Sequence, residues 1–223
     1  MNCIYCKNFC IKKGFHRNRS QKYYCKTCNK YQLSEYVNKA CEIHSTKMIV
    51  KMLCNGSGIR DISRVLEIST TTVINKIKKL SALIKIPSTY IKGKTYEVDE
   101  LKTYVGKKEN EYWVCCTLEK ESAKIKSMSV GKRNKVTLKK ALTPVLLSEP
   151  QKVHSDRLKQ YKSLIHEEIH NVKKYTINKI ERKFLNFRTH LKRLCRRTIC
   201  FSKKAFMLEA VVKIYLWNSS LFL

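Results

Sequence analysis

IHNVKKYTINKIERKFLNFRTHLKRLCRRTICFSKKAFML, residues 169–208, carries twelve lysines and arginines and one acid, Glu181. A basic stretch of this kind suits contact with nucleic acid, and a carboxylate within it weakens the attraction to phosphate. Such an acid is tolerated if it pairs with a neighbouring cation or holds a metal ion. Ile177, Ile180, Phe184, Phe187, Leu191 and Leu194 recur at 3-4-3-4-3 spacing, which predicts one buried face of a long helix. Glu181 sits beside that stripe, and Arg188 lies two turns along on the same side. The carboxylate is therefore expected at the edge of the core, aimed at whatever the helix packs against.

The whole chain repeats the charge imbalance. Its 223 residues have a formal net charge of +30, and 43% of them are hydrophobic, enough for a real core. Residues 1–94 hold 19 Lys/Arg against 4 Asp/Glu, and residues 95–223 hold 28 against 13. Cations spread over both halves point to a polyanionic partner that touches the whole protein, with nucleic acid the leading candidate. The first apolar residues are interrupted by Cys3, Cys6 and Lys7, unlike a signal peptide, and the apolar stretch 205–223 contains Glu209, Lys213 and Asn218. That stretch reads as a buried amphipathic helix, not a membrane span. Eleven cysteines, an odd and clustered set, favour a reducing compartment and metal binding over disulfides. A cytoplasmic, nucleoid-associated protein is expected.

Residues 1–36 are defined by Cys3-x2-Cys6 and Cys25-x2-Cys28, with 18 residues between the pairs. Each pair puts two thiolates on one tight knuckle, and two knuckles close a tetrahedral structural Zn²⁺ site with no open position. Cys10 and His16 lie inside the loop as spare residues or substitute ligands. Residues 44–86 read as three helices. The first ends at Asn55-Gly56, the second spans 59–66, and the third begins at Thr70 after Ser69 with Val73, Ile74, Ile77, Leu80 and Ile84 inward. Two short helices joined by Glu67-Ile68-Ser69 fit a helix-turn-helix, in which Thr70, Thr71, Thr72, Asn75, Lys76 and Lys79 would face DNA. A generic three-helix core with a solvated polar face is the plainer alternative.

Residues 87–94 look like a linker, and the pattern then changes. Strands are expected at 95–105, 112–118 and 124–130, with a turn over 106–110. A helix follows over 136–147, then a short strand at 152–155, a helix through 165 and a fifth strand at 169–173. The order βββαβαβα implies a mixed α/β domain over 95–223 with a central sheet, in an α+β multidomain chain. Asp99 falls in the first of these strands and Asp156 after the fourth. Asp99 and Asp156 converging with Glu181 would suit phosphoryl transfer, since oxygen ligands hold Mg²⁺ and two ions roughly 3.5–4 Å apart can activate a nucleophile and stabilise a leaving group. On spacing alone, pairing of Glu181 with Lys179, Arg182 or Lys183 is the simpler account.

The residues around these acids add more. Val98-Asp99-Glu100 with Tyr104-Val105-Gly106, Ser155-Asp156 with Tyr161, then His170, Tyr175-Thr176, Ile180-Glu181-Arg182, Arg188 and Phe201-Ser202-Lys203 resemble the transposases of the insertion-sequence-one family. The resemblance covers almost the whole chain: zinc-ribbon cysteines, helix-turn-helix and catalytic part. It implies an RNase H-like domain with a DDE triad, Asp99, Asp156 and Glu181, holding two Mg²⁺ (or Mn²⁺). It also implies DNA contacts near the cleaved phosphate from Arg188, with Arg193 of the same basic run a further DNA-binding candidate. The chain departs from the family in having Asp156-Arg157 where Asp-Gly is common. Glu100 is expected on the opposite strand face from Asp99, which leaves Asp99 as the ligand. The implied activity is binding of terminal inverted repeats, strand cleavage and strand transfer by a homodimer or higher assembly on element ends and target DNA. A non-catalytic zinc-ribbon/helix-turn-helix regulator and a decayed transposase copy are the alternatives.

Overall fold

The computed structural model describes residues 1–35, 43–86, 91–173 and 176–221. Tyr175, residue 36 of the ribbon and residues 87–90 of the expected linker therefore lie outside the described residues. The chain divides into two units, Met1–Thr46 and Lys47–Leu223. Among the described residues no helix is long and apolar enough to cross a membrane.

The first unit is built on an antiparallel sheet of β1 (Ile11–Phe15), β2 (Gln21–Cys25) and β3 (Lys30–Leu33) in the order β1-β2-β3. Its interior consists of sulfur: Cys3, Cys10 and Cys25 are buried. Buried Gln32 pins the first knuckle, its side chain accepting from the Ile4 N–H at 2.8 Å and donating to the Asn2 carbonyl at 2.9 Å.

The second unit takes in most of α1 (Ile43–Cys54), then α2 (Ile59–Leu66) and α3 (Thr70–Leu83). Glu67 ends α2 in the left-handed region at φ 52°, Ile68 is buried, and the Ser69 hydroxyl caps α3 by accepting from the Thr72 N–H at 3.0 Å. Val73, Ile77, Leu80 and Ile84 are buried, and α3 packs on α7 (Ala205–Trp217).

A five-stranded sheet of mixed parallel and antiparallel strands, in the order β6-β5-β4-β7-β8, is the centre of the remaining α+β part. Its strands are β4 (Thr95–Val105), β5 (Lys107–Glu119), β6 (Lys124–Gly131), β7 (Lys152–His154) and β8 (His170–Asn171). The expected turn over 106–110 is narrower: the chain reverses at Gly106, φ 79°, and β5 already runs from Lys107. α4 (Lys135–Leu146) covers one face, where Tyr96, Val98, Leu138, Leu142, Val145 and Tyr161 form one buried cluster. The helix expected to reach 165 is a single turn, α5 (Lys159–Lys162), and β8 pairs over two residues only.

β4 decides where the acids meet. It pairs antiparallel with β5 and parallel with β7, with Glu97 opposite His154. Two residues further along each strand, this register brings Asp99 level with Asp156, just where β7 has ended. On the same β4 face as Asp99, buried Glu97 accepts the Ile180 N–H at 2.9 Å. That bond caps α6 (Asn178–His190), whose own N-cap residue Ile177 supplies none, and Glu181 is the next residue. The stripe predicted on α6 is buried at Ile180, Phe184 and Phe187. The helix stops at His190 because Leu191 is extended, and a 3₁₀ turn at Lys192–Leu194 keeps Leu194 buried.

Glu97→Ala leaves the buried Ile180 N–H without an acceptor, which costs about 1–3 kcal/mol. Urea unfolding of the full chain is expected to show that loss, with Glu97→Gln, which keeps an acceptor oxygen, losing less than half as much. Equal stability of the alanine variant and the wild type would remove Glu97 from this role.

Candidate active site and cysteine cluster

Asp99 is half-buried, and one of its oxygens accepts the Glu100 N–H at 2.7 Å. Burial pushes its carboxyl up to about 7 against that hydrogen bond, and the nearby charges of Glu100, Asp156 and Glu181 push the same way. Asp156 is half-buried and accepts the Leu158 N–H at 3.0 Å, a local turn that fixes its carboxylate beyond the end of β7. Ser155 donates to the Asp156 carbonyl at 2.9 Å and lies 2.7 Å from His170 Nε2. Burial, then the charge of Lys162, lowers the His170 pKa, and its ring props the turn that carries Asp156 through Ser155.

Glu100 leaves the strand on the other face, yet it is not remote. Carboxylate oxygens of Asp99, Glu100 and Asp156 all lie within 4.8 Å of one another. The sheet that should separate the two faces stops at His154 on this side, so Glu100 reaches the same space. Its carboxylate is occupied: the Tyr161 hydroxyl donates to one oxygen and Arg133 to the other at 3.2 Å. Arg133 also approaches Asp156 at 3.9 Å and stacks its guanidinium 4.4 Å above the Trp113 ring. Arg133 and the helix-capping Glu97 went unnoticed in the sequence; the visible signal was three acids within four residues of an apolar strand, Glu97, Asp99 and Glu100.

Glu181 is exposed, and none of the ion pairs among the described residues involves it, neither with Lys179, Arg182 nor Lys183. It stands between two open cavities. One, about 400 Å³, is lined by Ser155, Asp156, Arg157 and Asn178; the other, about 440 Å³, by Asp99, Glu100, Arg188 and Arg196. Glu181 lines both, so it faces the two aspartates from the helix side. Arg188 is half-buried in the second cavity. Arg193 is elsewhere: it donates to Ser202 Oγ at 2.8 Å, its carbonyl accepts from Thr103, and burial lowers its pKa to about 10.

On α3, Thr70, Thr71, Asn75 and Lys79 are exposed, while Thr72 and Lys76 are half-buried. The Thr72 hydroxyl is engaged with Ser69 at 2.8 Å.

In the first unit Cys3 Sγ lies 3.5 Å from Cys28 Sγ and Cys6 Sγ 3.4 Å from Cys25 Sγ, and all four sulfurs fall within 4.8 Å of one another. Cys25 is held down to about 6, chiefly by the Cys28 N–H, whereas burial among the other thiols pushes Cys28 up to about 12. Cys10 is buried beside the cluster, and its thiol turns to the Asn8 carbonyl. His16 is exposed and paired with Asn18.

Among known proteins, the family profile described as IS1 transposase matches residues 94–222. The insertion element IS1 protein InsB of Shigella flexneri is 30% identical over 120 residues, covering 54% of this chain and 92% of that protein. The IS1 4 protein InsB of Escherichia coli (strain K12) is 31% identical over 122 residues, covering 54% and 72%. The magnesium-bound HTLV-2 integrase catalytic core domain aligns at 14% identity with a TM-score of 0.37, over 56% of this chain and 84% of that one. The profile takes in more than half of the sequence, and the chain belongs to the IS1 family of DDE transposases.

Proposed function

We propose that this transposase cuts and joins DNA strands at Asp99, Asp156 and Glu181 in a Mg²⁺-dependent reaction, on an RNase H-like arrangement of the five-stranded sheet. The observation that carries the reading is Glu181 standing between the cavity of Asp99 and the cavity of Asp156. The residues fit divalent metal: half-buried carboxylates crowd together beside Arg133, and burial, with the added charges of Glu100, Asp156 and Glu181, pushes Asp99 up to about 7. When bound, two Mg²⁺ would lower the pKa of an attacking hydroxyl or water and stabilise the leaving oxygen. Asp99 and Asp156, set level by strand register, would hold the metals together. Glu181, in no ion pair among the described residues and on the first turn of α6, would close the coordination from the helix side. Hydrolysis at an element end frees a 3′-hydroxyl, which then displaces a phosphodiester oxygen in the target strand, with no covalent enzyme intermediate.

Glu100 is the rival third ligand, because its oxygen lies in the tight cluster and that of Glu181 does not. Its bonds to Tyr161 and Arg133 favour a supporting role. α2 and α3 would act as a helix-turn-helix on the terminal inverted repeats, with Thr70, Thr71, Asn75 and Lys79 the free donors, and Thr72 and Lys76 nearer the helix root. The cysteine cluster would hold one structural Zn²⁺. Bonds of about 2.3 Å to a tetrahedral ion put sulfurs roughly 3.8 Å apart, close to the separations seen between Cys3 and Cys28 and between Cys6 and Cys25. Joining two ends calls for at least two chains on DNA, working at the nucleoid.

In a strand-transfer assay with Mg²⁺, Glu181→Gln is expected to abolish joining while Glu100→Gln keeps a measurable rate; the opposite ranking would make Glu100 the third ligand. Because Asp99 must lose its proton to hold a cation, Mg²⁺ affinity should rise with pH up to about 7, by about tenfold per unit below it, and flatten above. Calorimetric titrations at several pH values check this, and a flat profile would contradict it. Metal analysis should find one Zn²⁺ per chain, lost in Cys25→Ser and kept in Cys10→Ser. Loss in both would bring Cys10 into the ligand set.

A further inference from the structure

The cavity walled by Asp99, Glu181 and Arg188 carries a second guanidinium, that of Arg196. Arg188 Nε is buried and has no hydrogen-bond partner among the described residues. Burial, and then the charge of Arg196, depress the Arg188 pKa against the smaller opposing pull of Asp99, so the two cations sit within electrostatic reach of each other. Arg196 makes no ion pair among the described residues. The loop that carries it is tied down on both sides. The Cys195 thiol donates to the Arg188 carbonyl at 2.9 Å, Thr198 Oγ1 to the Lys192 carbonyl at 2.8 Å, and Arg193 to Ser202 at 2.8 Å. Two guanidiniums are thus held together against their own repulsion, one with a desolvated donor unused. An anion with several acceptor oxygens relieves both penalties, and phosphate matches the planar fork of arginine.

We infer that Arg188 and Arg196 form a clamp for one phosphodiester of the DNA strand lying against the carboxylates, with Arg196 as its second, DNA-contacting arm. This rests on the reading of Asp99, Asp156 and Glu181 as the site of strand cleavage and names the groups that hold the strand there. Arg193 is a strut, spent on Ser202, and Arg197, in the left-handed region at φ 55°, does not line the cavity. The clamp therefore draws on the first arginine of the Arg196-Arg197 pair and not on the second.

The test follows arginine Nε–H resonances of the ¹⁵N-labelled full chain as an oligothymidylate is added in Mg²⁺. The Arg188 Nε–H signal should shift and exchange more slowly with water. The midpoint of that titration should weaken about tenfold in Arg196→Ala, recover in part in Arg196→Lys, and move less than about twofold in Arg197→Ala. An Arg188 signal indifferent to the oligonucleotide, or equal weakening in the two alanine variants, would overturn the clamp. If Arg188 responds as expected but identically in Asp99→Asn and without Mg²⁺, the clamp stands while the metal-site reading fails.

Discussion

A buried strand carrying three carboxylates within four residues, Glu97, Asp99 and Glu100, is the constraint on which the rest of the second unit depends. Acids in a sheet interior are costly unless each finds a partner. Glu97 is satisfied by the first turn of α6, and Glu100 by Tyr161 and Arg133. Among the described residues Asp99 accepts a hydrogen bond only from the N–H of its own neighbour. The two satisfied acids fix the helix and the opposite face, and the unsatisfied one is left facing the cavity between them.

That division of labour joins fold to chemistry. Parallel pairing of β4 with β7 sets Asp156 level with Asp99, and the early end of β7 opens the space both need. The cap from Glu97 sets the height of α6 and with it the position of Glu181. The end of β4 is tied in turn to the segment ahead of α7, through Gly106 N–H to the Ser202 carbonyl at 2.8 Å and Thr103 to the Arg193 carbonyl at 3.1 Å. The arginine-bearing loop is thereby registered against the same strand as the acids. Charge that looked diffuse in the sequence is ordered around one strand.

Local signals were legible. Asn55-Gly56, the Ser69 cap and the apolar spacing of α3 are decided within a few residues, and the helices start and stop close to where those signals fall. The α6 stripe was equally plain, because helical period needs no knowledge of neighbours. What lay hidden depended on contacts across elements. Nothing local marks Glu97 as the cap of a helix more than eighty residues away. Strand alternation sends Glu100 to the other face, but it does not reveal that β7 ends at His154 and leaves the Glu100 carboxylate within 4.8 Å of those of Asp99 and Asp156. Periodicity carried through Leu194 concealed the extended Leu191, and that one residue redirects the arginines beyond it, turning Arg193 inward and Arg196 toward the cavity.

The most direct test of the central claim is anomalous diffraction from crystals grown with Mn²⁺. The account predicts two manganese peaks roughly 3.5–4 Å apart, shared by Asp99 and Asp156, with Glu181 coordinating from α6 and Glu100 still bound to Tyr161 and Arg133. Manganese held by Asp99, Glu100 and Asp156 with Glu181 left in solvent, or no manganese at these carboxylates, would contradict it.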